Sequence, residues 1–580
     1  MNTIPKKTFC NPLNIEYAYR VYDEGGPVCI EGADPVMVIF EDKYLLFSSI
    51  TDGYWWSYDM AEWKFIAVTK EQLETLNGYA PAIMVMDGYV WFHQGYHDKR
   101  MYRSNDPLNA DSWEVYTDNC YVGHDPFLFH DKVEERVWAS YGCDDLSVSY
   151  IKVVELDRKT LEPIGEVYDC IYADQANRGW ERPWDNHTGE GWGYTEGSQI
   201  FRHKDRWYLT YSGYSLHKCY SNGVYYSDKP ASDYEYGTNN PCSHKNTGYI
   251  GSAGHGAFFE DMHGNWWNVT CSAVYVSHPF ERRINLYPAA IDDDGMLYVN
   301  STLSDYPISL PTAKRDHYNT QSQIPWMLLS KDKKATVSST DDKMPLNENF
   351  GKEVYSTEVP DSRYDHNVNM AFDEDNRTFW SAASGDTGEW ICVDLDKVCD
   401  VNAIQLSFFT YNLMSMDPEK RYHQYKVEYS TDGVNYEMLA DKTDNKRFVP
   451  HDYLELETPV KARFIKVTNK YMAGDAFFAL GDFRIFGNDG GKAPAAVENV
   501  VAVRDAADGR NSTITWNKAN GADGYIVKYG HAADKLYNQY QVYTEKADVR
   551  TLTNGIDYFF RVDSFNESGY TEGKSVVKFQ

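Results

Sequence analysis

The sequence predicts an all-β chain, a five-bladed β-propeller followed by two β-sandwiches. Five stretches share one wording, in which a short acidic or small-residue signature runs into a strand and a turn. They are ADPVMVIFEDKYLLFSS from Ala33, YAPAIMVMDGYVWFHQG from Tyr79, HDPFLFHDKVEERVWAS from His124, TEGSQIFRHKDRWYLTYSG from Thr195 and GHGAFFEDMHGNWWNVTCS from Gly254. Their starts lie 46, 45, 71 and 59 residues apart, the regular spacing being that of a four-stranded blade. Downstream, alternating strands such as YKVEYSTDGVNYEML and RFIKVTN, with a hairpin signal at Asp432-Gly433, continue the β pattern.

Each element follows in order. Residues 1–302 are expected to form the propeller, with long insertions where the spacing stretches; the longest gap holds RGWERPWDNHTGEGWGY, Arg178 to Tyr194. A rim insertion of that kind walls a pocket without disturbing the blades. Residues 303–332, irregular and carrying Pro307, Pro311 and Pro325, read as a connector packed on the propeller. Residues 333–490 read as a β-sandwich, NDGGKAPAA from Asn488 as a hinge, and 491–580 as a smaller sandwich, where STITWNKANGADGYIVKYG sets Trp516 and Tyr525 at alternate-face positions.

At 580 residues the chain is too long for one core. Its formal net charge of −30 disfavours a polyanionic partner, so nucleic acid is excluded as a ligand. No apolar run reaches the roughly 20 residues of a membrane helix. The start, MNTIPKKTFCNPLN, lacks the apolar core of a secretory signal. It fits either a cytosolic protein or one whose signal has been removed, and a secreted, periplasmic or cell-surface location is the expectation. Oligomeric state is not legible. The ten cysteines form no CxxC pair and have no histidine at zinc spacing; Cys392 and Cys399 flank VDLDKV and could bridge, the rest reading as buried thiols. Aromatic residues make up 15%, with 16 Trp and 47 Tyr, and such rings suit sugar faces as well as β cores.

In a propeller the first strand of every blade lines one axis, so Asp34, Asp125 and Glu196, at the starts of three units, are expected to converge. Clustering in an aromatic-lined funnel drives their pKa values apart.

Residues 10–310 resemble glycoside hydrolase family 43 through GADP at Asp34, HDP at Asp125, TEG at Glu196, the Tyr79-Ala80-Pro81 signature and GHG at His255. The resemblance implies Asp34 as general base, Asp125 as the orienting and pKa-tuning carboxylate, and Glu196 as general acid of an inverting enzyme; glycosidic cleavage needs one protonated carboxyl and one ionised carboxylate, so Glu196 is the group expected to be raised. It also implies a channel position for His255, where water or a cation can sit. His124 before Asp125 and Ser198 after the EG pair depart from the usual pattern and bear on substrate. Arg283 in ERRINLY is a candidate for holding a substrate hydroxyl or the Asp pair. Trp55, Trp56, Trp91 and Trp184 are candidate stacking platforms, and His97 and His187 are further loop candidates. Sugars of the arabinofuranose, xylose or galactose type, removed from a polysaccharide or oligosaccharide, follow from the family.

The middle region is similar to discoidin, or factor 5/8 type C, modules, a group that includes family 32 carbohydrate-binding modules. FDEDNRTFWSA from Phe372 and FALGDFRIFG from Phe478 carry the likeness. It implies a structural calcium held by Asp373, Asn376, Thr378 and Asp482, an oxygen set suited to a hard cation, and a sugar site with Tyr422, Tyr471 or Phe477 as its ring. The C-terminal region resembles fibronectin type III, a spacer without chemistry of its own. The rival reading is a non-catalytic carbohydrate-binding or adhesion protein with a propeller head. Retention of all three carboxylates argues against it.

Overall fold

The computed structural model describes residues 7–20, 29–69, 76, 78–95, 99–120, 122–143, 150–191, 195–213, 218–274, 281–341, 366–411 and 413–579; His97 lies outside them. Five antiparallel four-stranded sheets follow in chain order. Their inner strands are Val36–Phe40, Ala82–Met86, Phe127–Asp131, Thr195–His203 and Gly254–Glu260. Each inner strand packs on the next, and the fifth returns to the first, so the ring closes. Two-residue turns join the inner strand to the next in blades one, two and four. In blade two, Asp87 and Gly88 connect Met86 to Tyr89 with φ of 54° and 77°, the left-handed pair that matches strand twist.

Among the described residues no strand is shared between the first and last blades. The outer strand of blade five, Leu297–Val299, covers only the end of Arg282–Ile291. The remaining edge is taken by the N-terminal segment. Asn11 reads the Leu286 peptide from both sides at 2.9 Å, the Leu13 amide donates to Ile284 O at 2.9 Å, and the Gly32 amide donates to Arg282 O at 2.9 Å. The segment thereby fastens blade five to blade one and hides an edge that would otherwise pair with another chain.

The second β unit is an eight-stranded sheet system around the long strand Trp390–Phe408, which pairs with His451–Tyr471 and Ala479–Asn488. Met327–Leu328 pairs with Phe486 and Gly487, so the sheet begins inside the stretch read as connector. Trp380, Phe478, Phe483 and Ile465 fill its core. The third unit stacks a three-stranded sheet on a five-stranded one, with Trp516 and Tyr525 edge-to-face at 5.3 Å between them. All ten cysteines are free thiols, Cys392 and Cys399 included. No helix among the described residues is long and apolar enough to cross a membrane.

The three units are packed together, not strung out. Tyr249 donates to Ser407 Oγ at 2.7 Å between the first and second. Tyr298 and Tyr537 stack at 3.8 Å between the first and third.

Candidate active site

All five inner strands start the same way. Asp34, Ala80, Asp125, Gly197 and His255 occupy equivalent positions and have φ of 52°, 43°, 48°, 54° and 39°. Four of these are not glycine, and a left-handed residue with a Cβ costs of order 1–2 kcal/mol. In blades four and five the strand also slips register, between Glu196 and Gln199 and between Gly254 and Ala257, a device that re-aims side chains.

The result is convergence on His255. Its Nδ1 lies 3.0 Å from Asp34 Oδ1 and 3.9 Å from Asp125 Oδ2. A methyl group at Gly197 would sit 2.7 Å from the His255 ring, so the glycine after Glu196 makes room for the imidazole. The Asp125 and Glu196 carboxylates and the Cys143 thiol each offer an atom within 4.8 Å of the others. Glu196, 8% exposed, meets the Tyr220 hydroxyl at Oε1 and accepts from the Cys143 thiol at 3.5 Å. A side chain at Gly254 would run into the Tyr220 ring at 2.3 Å, which accounts for the first glycine of GHG.

Asp34 is the best-held of the three. Ser49 donates to its Oδ2 at 2.5 Å and Arg282 to its Oδ1 at 3.3 Å, while the Ala80 amide donates to Ser49 Oγ at 2.8 Å and ties in blade two. Arg282 also grips Glu31 at 2.5 Å.

The electrostatics separate the groups. Burial works to raise Asp34, but the His255 imidazolium, Arg282 and Ser49 hold its carboxyl well below the usual range. Asp125 is pushed up to about 7, by burial first and then by Glu196 and Asp34, against the pull of His255. His255 rises to about 9 because its three carboxylates outweigh burial. Burial lifts Glu31 to about 7 against Arg282. Among the three carboxyls Asp125 is the one pushed upward, by its burial and its two acidic neighbours.

Residues 27–297 match the family model described as glycosyl hydrolases family 43, over the span that carries this cluster. This propeller is a family 43 glycosyl hydrolase domain. Residues 353–480 match the F5/8 type C domain model. No curated protein matches the sequence. Similar solved structures include a glycoside hydrolase at 18% identity, covering 78% of this chain and 97% of its own, TM-score 0.45. An endo-1,4-beta-xylanase from Bacteroides thetaiotaomicron has 19% identity, coverages of 47% and 96% and a TM-score of 0.40. An alpha-L-arabinofuranosidase from Clostridium thermocellum has 14%, 46% and 93%, and 0.34.

Several other expected site residues of the hydrolase domain stand elsewhere. Trp55 is fully buried in the core and donates to Glu16 O. Trp91 is buried between blades two and three. Neither offers a face to a sugar. Trp56 is half-buried on the third strand of blade one, away from the axis, with Lys64 over its ring at 4.6 Å. Trp184 alone of the four is open, 37% exposed on the rim insertion, its carbonyl accepting from the Cys219 thiol at 2.8 Å. Arg283 is also corrected. It is fully buried and turned to the F5/8 type C domain, donating to His451 Nε2 at 3.1 Å and paired with Glu281 at 3.2 Å. Adjacent residues of a strand face opposite ways, and Arg282 has the axis. His187 is buried against Arg182 O and His244, and burial holds its imidazole down at about 3.

In the F5/8 type C domain, Thr378 donates to Asp373 Oδ2 at 2.8 Å. Asn376 Oδ1 and Asp482 Oδ2 are buried without a hydrogen-bond partner. Asp373 is pushed up to about 7, mainly by burial, and Asp482 well above its usual range by burial and the nearby Glu374 and Asp373. Tyr422 and Tyr471 stand 4.8 Å apart, half-buried, whereas Phe477 packs on Tyr411.

The sequence reading did not find Arg282, Glu31, Ser49, Cys143 or Tyr220. Arg282 had a signal, the ERR run, but nothing to choose between its two arginines.

Proposed function

We propose that the hydrolase domain removes a terminal or side-chain sugar, of arabinofuranose, xylose or galactose type, from a polysaccharide by single displacement with inversion. The observation that carries this reading is the opposite pull on two aspartates that share one histidine. Asp34, kept ionised by His255 and Arg282, is the base that activates water. Asp125 and Glu196 stand within 4.8 Å of each other, and Asp125, pushed up to about 7, retains its proton below that pH. Glu196 passes a proton to the leaving oxygen, with Asp125 beside it to position it. Trp184 is the ring available to a sugar beyond the cleaved bond.

Glu196→Gln tests it: release of reducing sugar should be lost while binding to the same polysaccharide, read by affinity electrophoresis, persists. A screen of nitrophenyl pentosides and hexosides chooses the sugar. The anomer formed first, read by NMR, tests inversion; a product of retained configuration would remove the single-displacement step.

In the F5/8 type C domain the oxygen set of Asp373, Asn376, Thr378 and Asp482 fits a calcium ion. Two buried oxygens lacking partners and two carboxyls shifted upward are what a hard dication would satisfy. Its contribution would be structural. The C-terminal unit is read as a fibronectin type III-like support, and the chain as acting outside the cytoplasm, where its polymeric substrate lies.

A further inference from the structure

The F5/8 type C loop Asp373–Thr378 does more than close its own domain. It touches the hydrolase domain at three points around the carboxylate cluster. Asp375 Oδ1 is 3.1 Å from Lys218 Nζ, two residues before Tyr220, whose hydroxyl meets Glu196. Arg377 Nη1 is 2.7 Å from Asp185 Oδ2, the neighbour of Trp184. Asn376 Nδ2 donates to Ala273 O at 3.1 Å, and Ala273 is the register partner of Arg282, which holds Asp34.

The contacts are built, not incidental. The Lys218, Asp375 and Arg377 side chains are 14%, 26% and 18% exposed, so these pairs are shielded enough for geometry to matter. The third unit grips the same insertion from its other side: Arg510 pairs with Glu190 at 2.7 Å, and Arg182 with Asp508 at 3.2 Å and Asn511 at 2.6 Å. A tethered sugar-binding module would need none of this.

We propose that Asp375, through Lys218, is a positioning residue for the glycosidase reaction, the F5/8 type C loop serving as part of the active-site wall. Asp375 draws Lys218 outward and so sets the segment Lys218–Tyr220, which brings the Tyr220 hydroxyl to Glu196 and the Cys219 thiol to Trp184. The inference rests on the reading of Glu196 as the proton donor. It places Asp375 outside the chemistry and makes its effect specific to proton delivery.

The test uses the full chain and nitrophenyl glycosides that wild type cleaves. Asp375→Ala should lower kcat by about 10- to 100-fold, the scale of a small misplacement of a catalytic group, with KM little changed. The loss should be larger for an alkyl glycoside than for its dinitrophenyl counterpart, because only the poor leaving group needs the proton. Asp375→Glu should recover much of the rate, and Lys218→Met should add nothing to Asp375→Ala. Equal losses for both leaving groups, or a loss accounted for by the unfolded fraction in circular dichroism, would overturn the proposal. So would wild-type kcat in Asp375→Ala. If Glu196→Gln remained active, the donor assignment would fail instead, and the two failures are told apart by that variant.

Discussion

At one end of the propeller channel the five inner strands begin with Asp34, Ala80, Asp125, Gly197 and His255; a few residues on, the same strands line the other end with Val38, Met84, Phe129, Phe201 and Phe258 around a cavity of about 220 Å³. The first end holds charges on backbone that departs from strand geometry. The second is mostly regular strand and mostly apolar, with His130, Gln199 and Arg202 also in its lining. Once φ and ψ are those of a strand, side chains alternate between the channel and the neighbouring blade, and both are dry. The carboxylates and the imidazole gather where the chain leaves that alternation, and the left-handed start of each blade does this at a cost in stability.

This contrast can be broken by mutation. The largest effect expected is on activity. Asp34→Asn should reduce kcat of the folded enzyme by about 10²- to 10⁴-fold, the range for a lost acid or base, and also lower the melting temperature, because His255 and Arg282 lose the anion they share; near wild-type kcat in the folded variant would mean Asp34 is structural. At the other end Phe258→Ala should cost about 3–5 kcal/mol in urea denaturation and leave kcat of the folded enzyme near wild type. If Phe258→Ala also abolished turnover, the two ends would not be separable.

A smaller effect distinguishes neighbouring arginines. Arg282→Lys loses the fork that spans Asp34 and Glu31 and should lower kcat, whereas Arg283→Lys should lower the melting temperature through the seam to His451 and spare kcat. Calorimetry with and without a chelator sharpens the second domain: removal of a bound calcium should lower the melting temperature in proportion to its binding free energy. Substituting Asp482 should cancel that difference.

The pH dependence is the finest of these tests. Activity should rise as pH passes the depressed Asp34 value and fall around 7 as Asp125 loses its proton. Stability has a separate limb. His255 rises from 6.5 unfolded to about 9 folded, so its contribution is full below about 6.5 and lost as pH climbs through 9. Asp125, also raised, adds stability that is full at acid pH and gone above about 7. Replacing His255 with Gln should flatten the melting curve between pH 6.5 and 9, and an unchanged slope there would show that His255 is not the titrating group.

Much of this was legible in the residues. The repeated starts fixed five blades because a strand, a turn and a strand are short-range events, and ADP, HDP and TEG stand at the starts themselves. The aromatic excess misled: Trp55 and Trp91 serve packing, and their burial depends on neighbours far along the chain. Face parity was also out of reach, since a single step along the strand separates Arg282 at the axis from Arg283 at the seam.

The sequence by itself determined the all-β architecture, the ring of five and the trio Asp34, Asp125 and Glu196, because periodicity and turn chemistry act locally. Tertiary structure alone decided that the upward shift falls on Asp125, that Tyr220 and Cys143 meet Glu196, and that Asp375 of another domain reaches Lys218. Those outcomes depend on burial and on distances between segments remote in the chain, and neither quantity is written in local order.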